Sequence, residues 1–318
     1  MANRDATFDV MKGIAILAMV IGHCPIPEIL EKFIFVWHMP LFFLVSGYFY
    51  SPKEEKGYVR KNVRQLVLPY VVTSLVLIFL SGVKELISGK GATLTTIIAA
   101  LIGNGTVNNP TFSEYSIGAI WFLLAMFWCR SIFNILYIRL SEPMLGAAVI
   151  FAAVVATYLG TLVYVPTDLF EGIEAMLFFY IGNKAHTYNV LERTPNLLFF
   201  IIVFFLVILS IYAGSMSMVR CYYGYWPVNY LAAIGMTMVI YYISKRLVTN
   251  KFLAWCGRVS MVILCIHIIN LNFLPTKTLH ERFVFSSSYD VLLHIIVALA
   301  MTWTLLKFSL IKSLFSIK

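Results

Sequence analysis

The chain has 318 residues, of which 60% are hydrophobic and only 12% are charged, and its formal net charge is +9. A soluble protein of this length could not bury so much apolar surface, so the composition excludes a soluble globular enzyme and indicates a membrane protein with many helical spans. The positive charge does not indicate nucleic-acid binding, because the cations lie between apolar segments and form no soluble basic domain.

Apolar segments with the length of a membrane span recur along the whole chain. The sequence therefore predicts an all-α polytopic membrane protein, a bundle of about ten transmembrane helices in a single domain over residues 1–318. The N-terminus leads into the first segment without a small-residue cleavage site, so we expect no cleavable signal peptide. The predicted segments are 8–24, 32–50, 66–83, 117–138, 143–162, 171–188, 196–213, 225–243, 252–272 and 288–311.

The distribution of lysine and arginine predicts the orientation of these segments. With a cytoplasmic N-terminus, sixteen of the 24 cations lie at the cytoplasmic face, six lie outside, and Arg130 and Arg258 fall within spans. This bias follows the positive-inside rule and predicts that both termini are cytoplasmic, in what we expect to be a bacterial inner membrane. The connection 84–116 then lies outside, and its stretch TLTTIIAALI is predicted to form a short interfacial helix.

Ionisable side chains recur at matched depths in three of the apolar segments. Lys12 and His23 lie on one face of the first helix, about 16 Å apart along its axis. The second helix runs antiparallel and places His38 at nearly the depth of His23, and the ninth repeats the arrangement with Arg258 and His267. A snorkelling lysine and hydrogen-bonded core histidines are the structural alternative. Ionisable groups in apolar helices are costly to bury, so their matched depth favours a shared site.

A basic stretch precedes the third segment. If this stretch is helical, Lys61 and Arg64 share a face and could clamp a polyphosphate, although they could also act only as topology signals. The five cysteines show no CxxC and no metal-type spacing, so we expect no metal site.

Three acids and one aromatic residue are further candidates near the predicted outer half. Glu114, Glu171 and Glu174 could each orient a histidine, and the sequence alone does not choose among them. Trp121 begins an aromatic pair in the fourth segment, where such residues form either a membrane belt or a ligand platform.

Two functional classes explain buried histidines in a membrane bundle. One is an enzyme that works across the membrane. The alternative is a transporter or flippase for a glycan or lipid-linked sugar, with the histidines as a proton relay. A transporter predicts an inverted repeat with matching helix breaks, and the sequence shows neither. A purely structural scaffold would leave the depth-matched histidines unexplained.

Several stretches carry motifs of one known family. Lys12, ten residues and His23 form a basic-x10-His pattern, and WHMPLFFLVSGY at 37–48 is similar to a Phe-His-x-Pro-Leu-Phe-Phe-x-Ser-Gly stretch with Trp37 in place of phenylalanine. Lys61-x2-Arg64 resembles an Arg-x-x-Arg element with lysine first. IWFLLAM, FFYIGN and GRVSMVILCIHI are similar to later landmarks. Over nearly its whole length the chain thus resembles the acyltransferase-3 family of integral-membrane acyltransferases, in particular the exopolysaccharide and fucose O-acetylases.

The resemblance implies transfer of an acetyl group from cytoplasmic acetyl-CoA to a hydroxyl of an extracytoplasmic glycan or exopolysaccharide sugar. It implies that His23 acts as general base, with an acyl-histidine intermediate as the alternative mechanism. Membrane lipids and a sugar or polysaccharide acceptor are the implied partners. Together with these motifs, the site residues that we predict are Lys12, Lys61, Arg64 and Arg258 for the coenzyme A phosphates, Glu174 as the acid beside His23, and His38, Trp121 and His267 for the acceptor.

Overall fold

The computed structural model describes residues 5–89, 92–109, 111–212, 214, 216–273 and 287–317, and these residues form a helical bundle with one short hairpin. The first part of the chain contains α1 (Ala6–Gly22), α2 (Glu28–Tyr48), α3 (Glu55–Asn62), α4 (Leu68–Ser88), α5 (Thr93–Ile102), α6 (Trp121–Arg139) and α7 (Glu142–Leu162). The second part contains α8 (Leu169–Thr187), α9 (Leu197–Tyr212), α10 (Trp226–Arg246), α11 (Lys251–Arg258), α12 (Ser260–Phe273), α13 (Ser287–Leu305) and α14 (Ser309–Leu314).

Shorter elements join these helices. A turn of π-helix connects α3 to α4, and 3₁₀ turns precede α6 and α9. The hairpin strands β1 (Met216–Ser217) and β2 (Tyr222–Tyr223) are antiparallel, with Met216 opposite Tyr223. The stretch predicted as an interfacial helix is confirmed as helical, since it forms α5.

Five helical segments among the described residues are long and apolar enough to cross a membrane, and a bent pair would make a sixth. The five are α2, the continuous α3–α4 unit, the 3₁₀ turn with α6, α7 and α10. This supports an all-α membrane protein, but the predicted count of about ten spans is not confirmed. α1 and α9 have only 17 and 16 residues, or about 26 and 24 Å against a hydrocarbon core of about 30 Å. α8 carries Glu171, Glu174 and Lys184 within its 19 residues.

The segment predicted as one span at 252–272 is broken at Val259 into α11 and α12, which meet at 76° and would cross a membrane only as one bent span. Asn250 caps α11 by accepting a hydrogen bond from the Leu253 amide at 3.0 Å. The segment predicted at 288–311 is also divided, since α13 ends at Leu305 and α14 begins at Ser309.

The position of α11 is fixed by backbone contact with α1. A Cβ atom added at Gly13 would overlap the carbonyl oxygen of Leu253, and one added at Gly257 would overlap the carbonyl oxygen of Asp9. Small residues let helices in a membrane approach this closely and gain dispersion energy along the contact. The break at Val259 therefore lets α11 follow α1 while α12 turns away.

A second backbone contact joins α2 to α8. A Cβ atom at Gly47 would overlap the carbonyl oxygen of Phe179, and one at Gly182 would overlap that of Leu44. These glycines belong to the stretches LVSGY and FFYIGN, which carry part of the family resemblance. Their role in this fold is packing, which holds α2 and its histidine in place.

The contact between α1 and α11 predicts that two Gly→Ala variants differ in thermal stability. Gly257→Ala is expected to destabilise the protein by about 1–3 kcal/mol, because overpacking at a backbone contact forces the helices apart. Gly57→Ala on α3 is the matched control, since its Cβ would meet no atom within 4 Å, and alanine in a helix stabilises slightly. Thermal unfolding in one detergent measures both. Equal melting temperatures for the two variants would contradict the contact.

Candidate active site

A cavity of about 400 Å³ opens at the His23 end of the bundle. Its walls come from α1, α2, α12, the connection before α6 and the hairpin segment. Three of the residues predicted for the site, His23, His38 and Trp121, line it together. They come from three different helical elements, so this shared surface is a product of the tertiary fold.

A second cavity, of about 330 Å³, opens at the Lys12 end. Lys12 and Arg258, two of the residues predicted to hold the donor phosphates, line it together. Arg130 also lines it, although it was not among the predicted site residues. The sequence could have identified Arg130 as a candidate, because burying an arginine inside an apolar segment is costly unless it has a partner or a function. Arg130 donates from Nε to Ser46 Oγ at 2.8 Å, which uses one of its five N–H donors.

The two cavities share three lining residues, Met19, Met39 and Leu264. They therefore meet at a boundary formed by apolar side chains. A ligand in the Lys12 cavity and a ligand in the His23 cavity would approach each other at this boundary. Thioether side chains have three rotatable bonds and adapt to different neighbours, which suits such a position.

Backbone hydrogen bonds select the tautomers of two histidines in the His23 cavity. The Nδ1 atom of His23 lies 2.8 Å from the carbonyl oxygen of Met19, and that of His38 lies 2.8 Å from the carbonyl oxygen of Ile34. A carbonyl oxygen only accepts, so Nδ1 carries the hydrogen and donates it. In the neutral ring, Nε2 then holds the lone pair that can accept a proton.

The three predicted histidines differ in exposure. His23 is half-buried, whereas His38 is 1% exposed and His267 is fully buried. The ring of His267 lies 5.5 Å from the ring of His23, centroid to centroid, and Phe35 lies between His23 and His38 at 5.5 and 5.0 Å. Within the described part of the chain, neither ring nitrogen of His267 has a hydrogen-bond partner. His23 is therefore the most accessible of the three histidines to a substrate in the cavity.

Lys12 is held at its end of the first helix by an ion pair. Its Nζ lies 3.2 Å from Oδ1 of Asp9, whose side chain is 5% exposed, and Lys12 itself is 25% exposed. The ammonium group thus faces the cavity while a buried carboxylate orients it.

Lys61 and Arg64 occupy a different position. Both are exposed, Lys61 on α3 and Arg64 on the π-helical turn, and neither is among the described residues that line the two cavities. Leu66, two residues beyond Arg64, does line the Lys12 cavity. The two cations would therefore contact only the part of a ligand that projects from this cavity. π-Helical turns are frequent at functional sites.

The structure places Glu174, the acid predicted beside His23, outside the described lining of the His23 cavity. Glu174 is fully buried on α8 and accepts a hydrogen bond from the Tyr230 hydroxyl at 3.1 Å, and it is not among the described residues lining the His23 cavity. Glu31 lines that cavity. Glu31 was not among the predicted site residues, although it stands at the start of the helix that carries His38.

Among the described residues, no group of three or more His, Cys, Asp or Glu side chains could hold a metal ion.

The acyltransferase-3 family model, described as an acyltransferase domain, matches residues 5–308 and so includes every site residue discussed above. No curated protein and no solved structure matches the chain.

Proposed function

The chain belongs to the acyltransferase-3 family and is therefore a membrane acyltransferase, and we propose that it transfers an acetyl group from cytoplasmic acetyl-CoA to a hydroxyl of an extracytoplasmic glycan. The observation that carries the proposal is the pair of cavities that meet at Met19, Met39 and Leu264. The Lys12 cavity holds three cations and no histidine among its described lining residues, whereas the His23 cavity holds two histidines, with Lys32 and Arg220 also in its lining. This difference suits a transfer from an anionic donor to a sugar. Family membership favours this function over a sugar transporter with a histidine relay.

The donor would lie in the Lys12 cavity. Lys12, Arg130 and Arg258 supply positive charge for coenzyme A phosphates, since ammonium and guanidinium groups bind phosphate through charge-assisted hydrogen bonds. The mostly apolar lining, which includes Phe42 and Phe122, suits a pantetheine arm. Lys61 and Arg64 would contact the nucleotide outside the cavity. The thioester would then reach the boundary with the His23 cavity.

The acceptor sugar would lie in the His23 cavity, against Trp121, whose ring can stack on a sugar face. His23 Nε2 takes the proton of the sugar hydroxyl, and the hydroxyl oxygen attacks the thioester carbonyl carbon. When the C–S bond breaks, the sulfur of coenzyme A receives that proton from His23. His38, which has the same tautomer, positions the sugar from behind. Mass spectrometry of surface glycans from cells with and without the protein tests whether acetyl groups are lost.

The proposed orientation, with both termini in the cytoplasm, gives the experiment that tests the sidedness of the transfer. Single cysteines are placed at Asn108 and Lys56, both exposed, in a chain whose five native cysteines have been replaced. A membrane-impermeant maleimide added outside is expected to label position 108 and not position 56. Labelling of position 56 alone would put the Lys12 cavity outside and contradict a cytoplasmic donor.

Removal of the Lys12 charge is expected to weaken donor binding. Lys12→Gln keeps a hydrogen-bond donor for Asp9 but loses the charge, and we expect it to weaken acetyl-CoA binding by about 1–3 kcal/mol. Calorimetric titration of the purified protein measures this loss. Lys56→Gln, an exposed cation outside the described lining of the cavity, is the matched control. If Lys12→Gln bound acetyl-CoA as tightly as the parent protein, Lys12 would serve only to set the orientation of the first helix in the membrane.

A further inference from the structure

A third cavity, of about 530 Å³, lies between α9 and α10 and shares no lining residue with the two cavities of the active site. Its walls are the segment before α9, the first turn of α9 and the last two turns of α10. Three of its lining residues are cations, Arg193, Lys245 and Arg246, and one is an acid, Glu192. The cavity therefore has an excess of two positive charges at its rim.

The opposite wall of this cavity is apolar. Phe200, Val239 and Ile243 form it, and Phe200 and Ile243 are 37% and 41% exposed. Phe204 lies one helical turn beyond Phe200 and is 61% exposed, so the apolar surface continues from the cavity along α9. The cavity thus joins a basic rim to an exposed apolar surface along α9.

The basic rim is held in place by the fold. The Tyr242 hydroxyl donates to the carbonyl oxygen of Arg193 at 2.8 Å, which ties the segment before α9 to α10. The Asn196 side chain caps α9 by accepting from the Phe199 amide at 3.0 Å. The positive end of the α9 dipole lies next to the cations and adds to the potential that attracts an anion.

We propose that this cavity binds an anionic phospholipid. The headgroup phosphate lies among Arg193, Lys245 and Arg246, and an acyl chain follows Phe200 and Phe204 along α9. A basic pocket between membrane helices recognises anionic headgroups, whereas a zwitterionic headgroup brings its own cation and gains less. The continuous apolar surface distinguishes a lipid from a soluble phosphate. The proposal does not depend on the reaction catalysed at the active site.

The test compares lipid binding by the purified protein in a neutral detergent. Native mass spectrometry with added phosphatidylglycerol or phosphatidylcholine is expected to show preferential retention of phosphatidylglycerol. Each cation near the headgroup contributes about fivefold, so the Lys245→Gln/Arg246→Gln variant is expected to bind phosphatidylglycerol about 25-fold more weakly. Lys251→Gln is the matched control, because it is an exposed cation five residues further on that does not line the cavity.

Three results would overturn the proposal. They are equal retention of the two lipids, unchanged binding in the double variant, and equal binding of glycerophosphoglycerol, which has the headgroup without the chains. The last would identify a soluble phosphate site. Size-exclusion chromatography shows whether the double variant is folded. If it is not, Arg193→Gln gives the same test with an expected fivefold loss, since the Tyr242 hydrogen bond goes to the backbone of Arg193.

Discussion

His23→Gln is expected to lower the rate of acyl transfer by about 10²- to 10⁴-fold while leaving acetyl-CoA binding unchanged. General base catalysis contributes a factor of this size. The structure assigns the hydrogen of His23 to Nδ1, which lies 2.8 Å from the Met19 carbonyl oxygen. Glutamine can place its amide where Nε2 lies but cannot accept a proton there. Transfer of labelled acetyl groups to glycan measures the rate, and calorimetry measures donor binding.

Two comparisons make this result specific to His23. His186→Gln is expected to have full activity, because His186 is exposed at the end of α8, against Tyr48, and is not among the described residues lining either cavity. His38→Gln and His267→Gln are expected to be milder than His23→Gln, because both rings are buried behind it. An active His23→Gln enzyme would show that His23 is structural, and the proton acceptor would then be His38 or a group outside this site.

Helix geometry explains how much of the site the sequence could predict. Residue spacing along a helix fixes depth, since each residue adds about 1.5 Å. Depth alone grouped His23 with His267, and the structure places their rings 5.5 Å apart. It also grouped Lys12 with Arg258, which line one cavity.

Lateral position could not be predicted in the same way, because it depends on which helices are neighbours. Glu174 has a suitable depth for a partner of His23, yet α8 directs it toward Tyr230. Arg130 was visible as an arginine in an apolar segment, but nothing in the sequence showed that α6 faces the Lys12 cavity. The break at Val259 was not predicted, because it accompanies the close contact of Gly257 with a different helix, and that contact depends on the tertiary fold.

Met39→Trp is expected to lower acyl transfer by about 10²-fold without weakening acetyl-CoA binding. Met39 is half-buried and lines both cavities at their boundary. The larger and rigid indole would fill this boundary and hold the thioester away from His23. A misplacement of about 1 Å between reacting groups costs about 10²-fold in rate. The measurement is single-turnover transfer from bound acetyl-CoA, which separates the chemical step from donor binding.

Met238→Trp is the matched control for this substitution. Met238 is a half-buried methionine on α10 that lines an apolar groove with Phe8 and Tyr241, outside the described lining of both active-site cavities. Replacing Met238 by tryptophan adds the same bulk, and we expect this variant to transfer acyl groups at the rate of the unsubstituted protein. Met39→Ala removes bulk from the boundary and is expected to retain transfer. If Met39→Trp transferred acetyl groups at the parent rate, the two substrates would not meet beside Met39, and the transfer path would have to run elsewhere in the bundle.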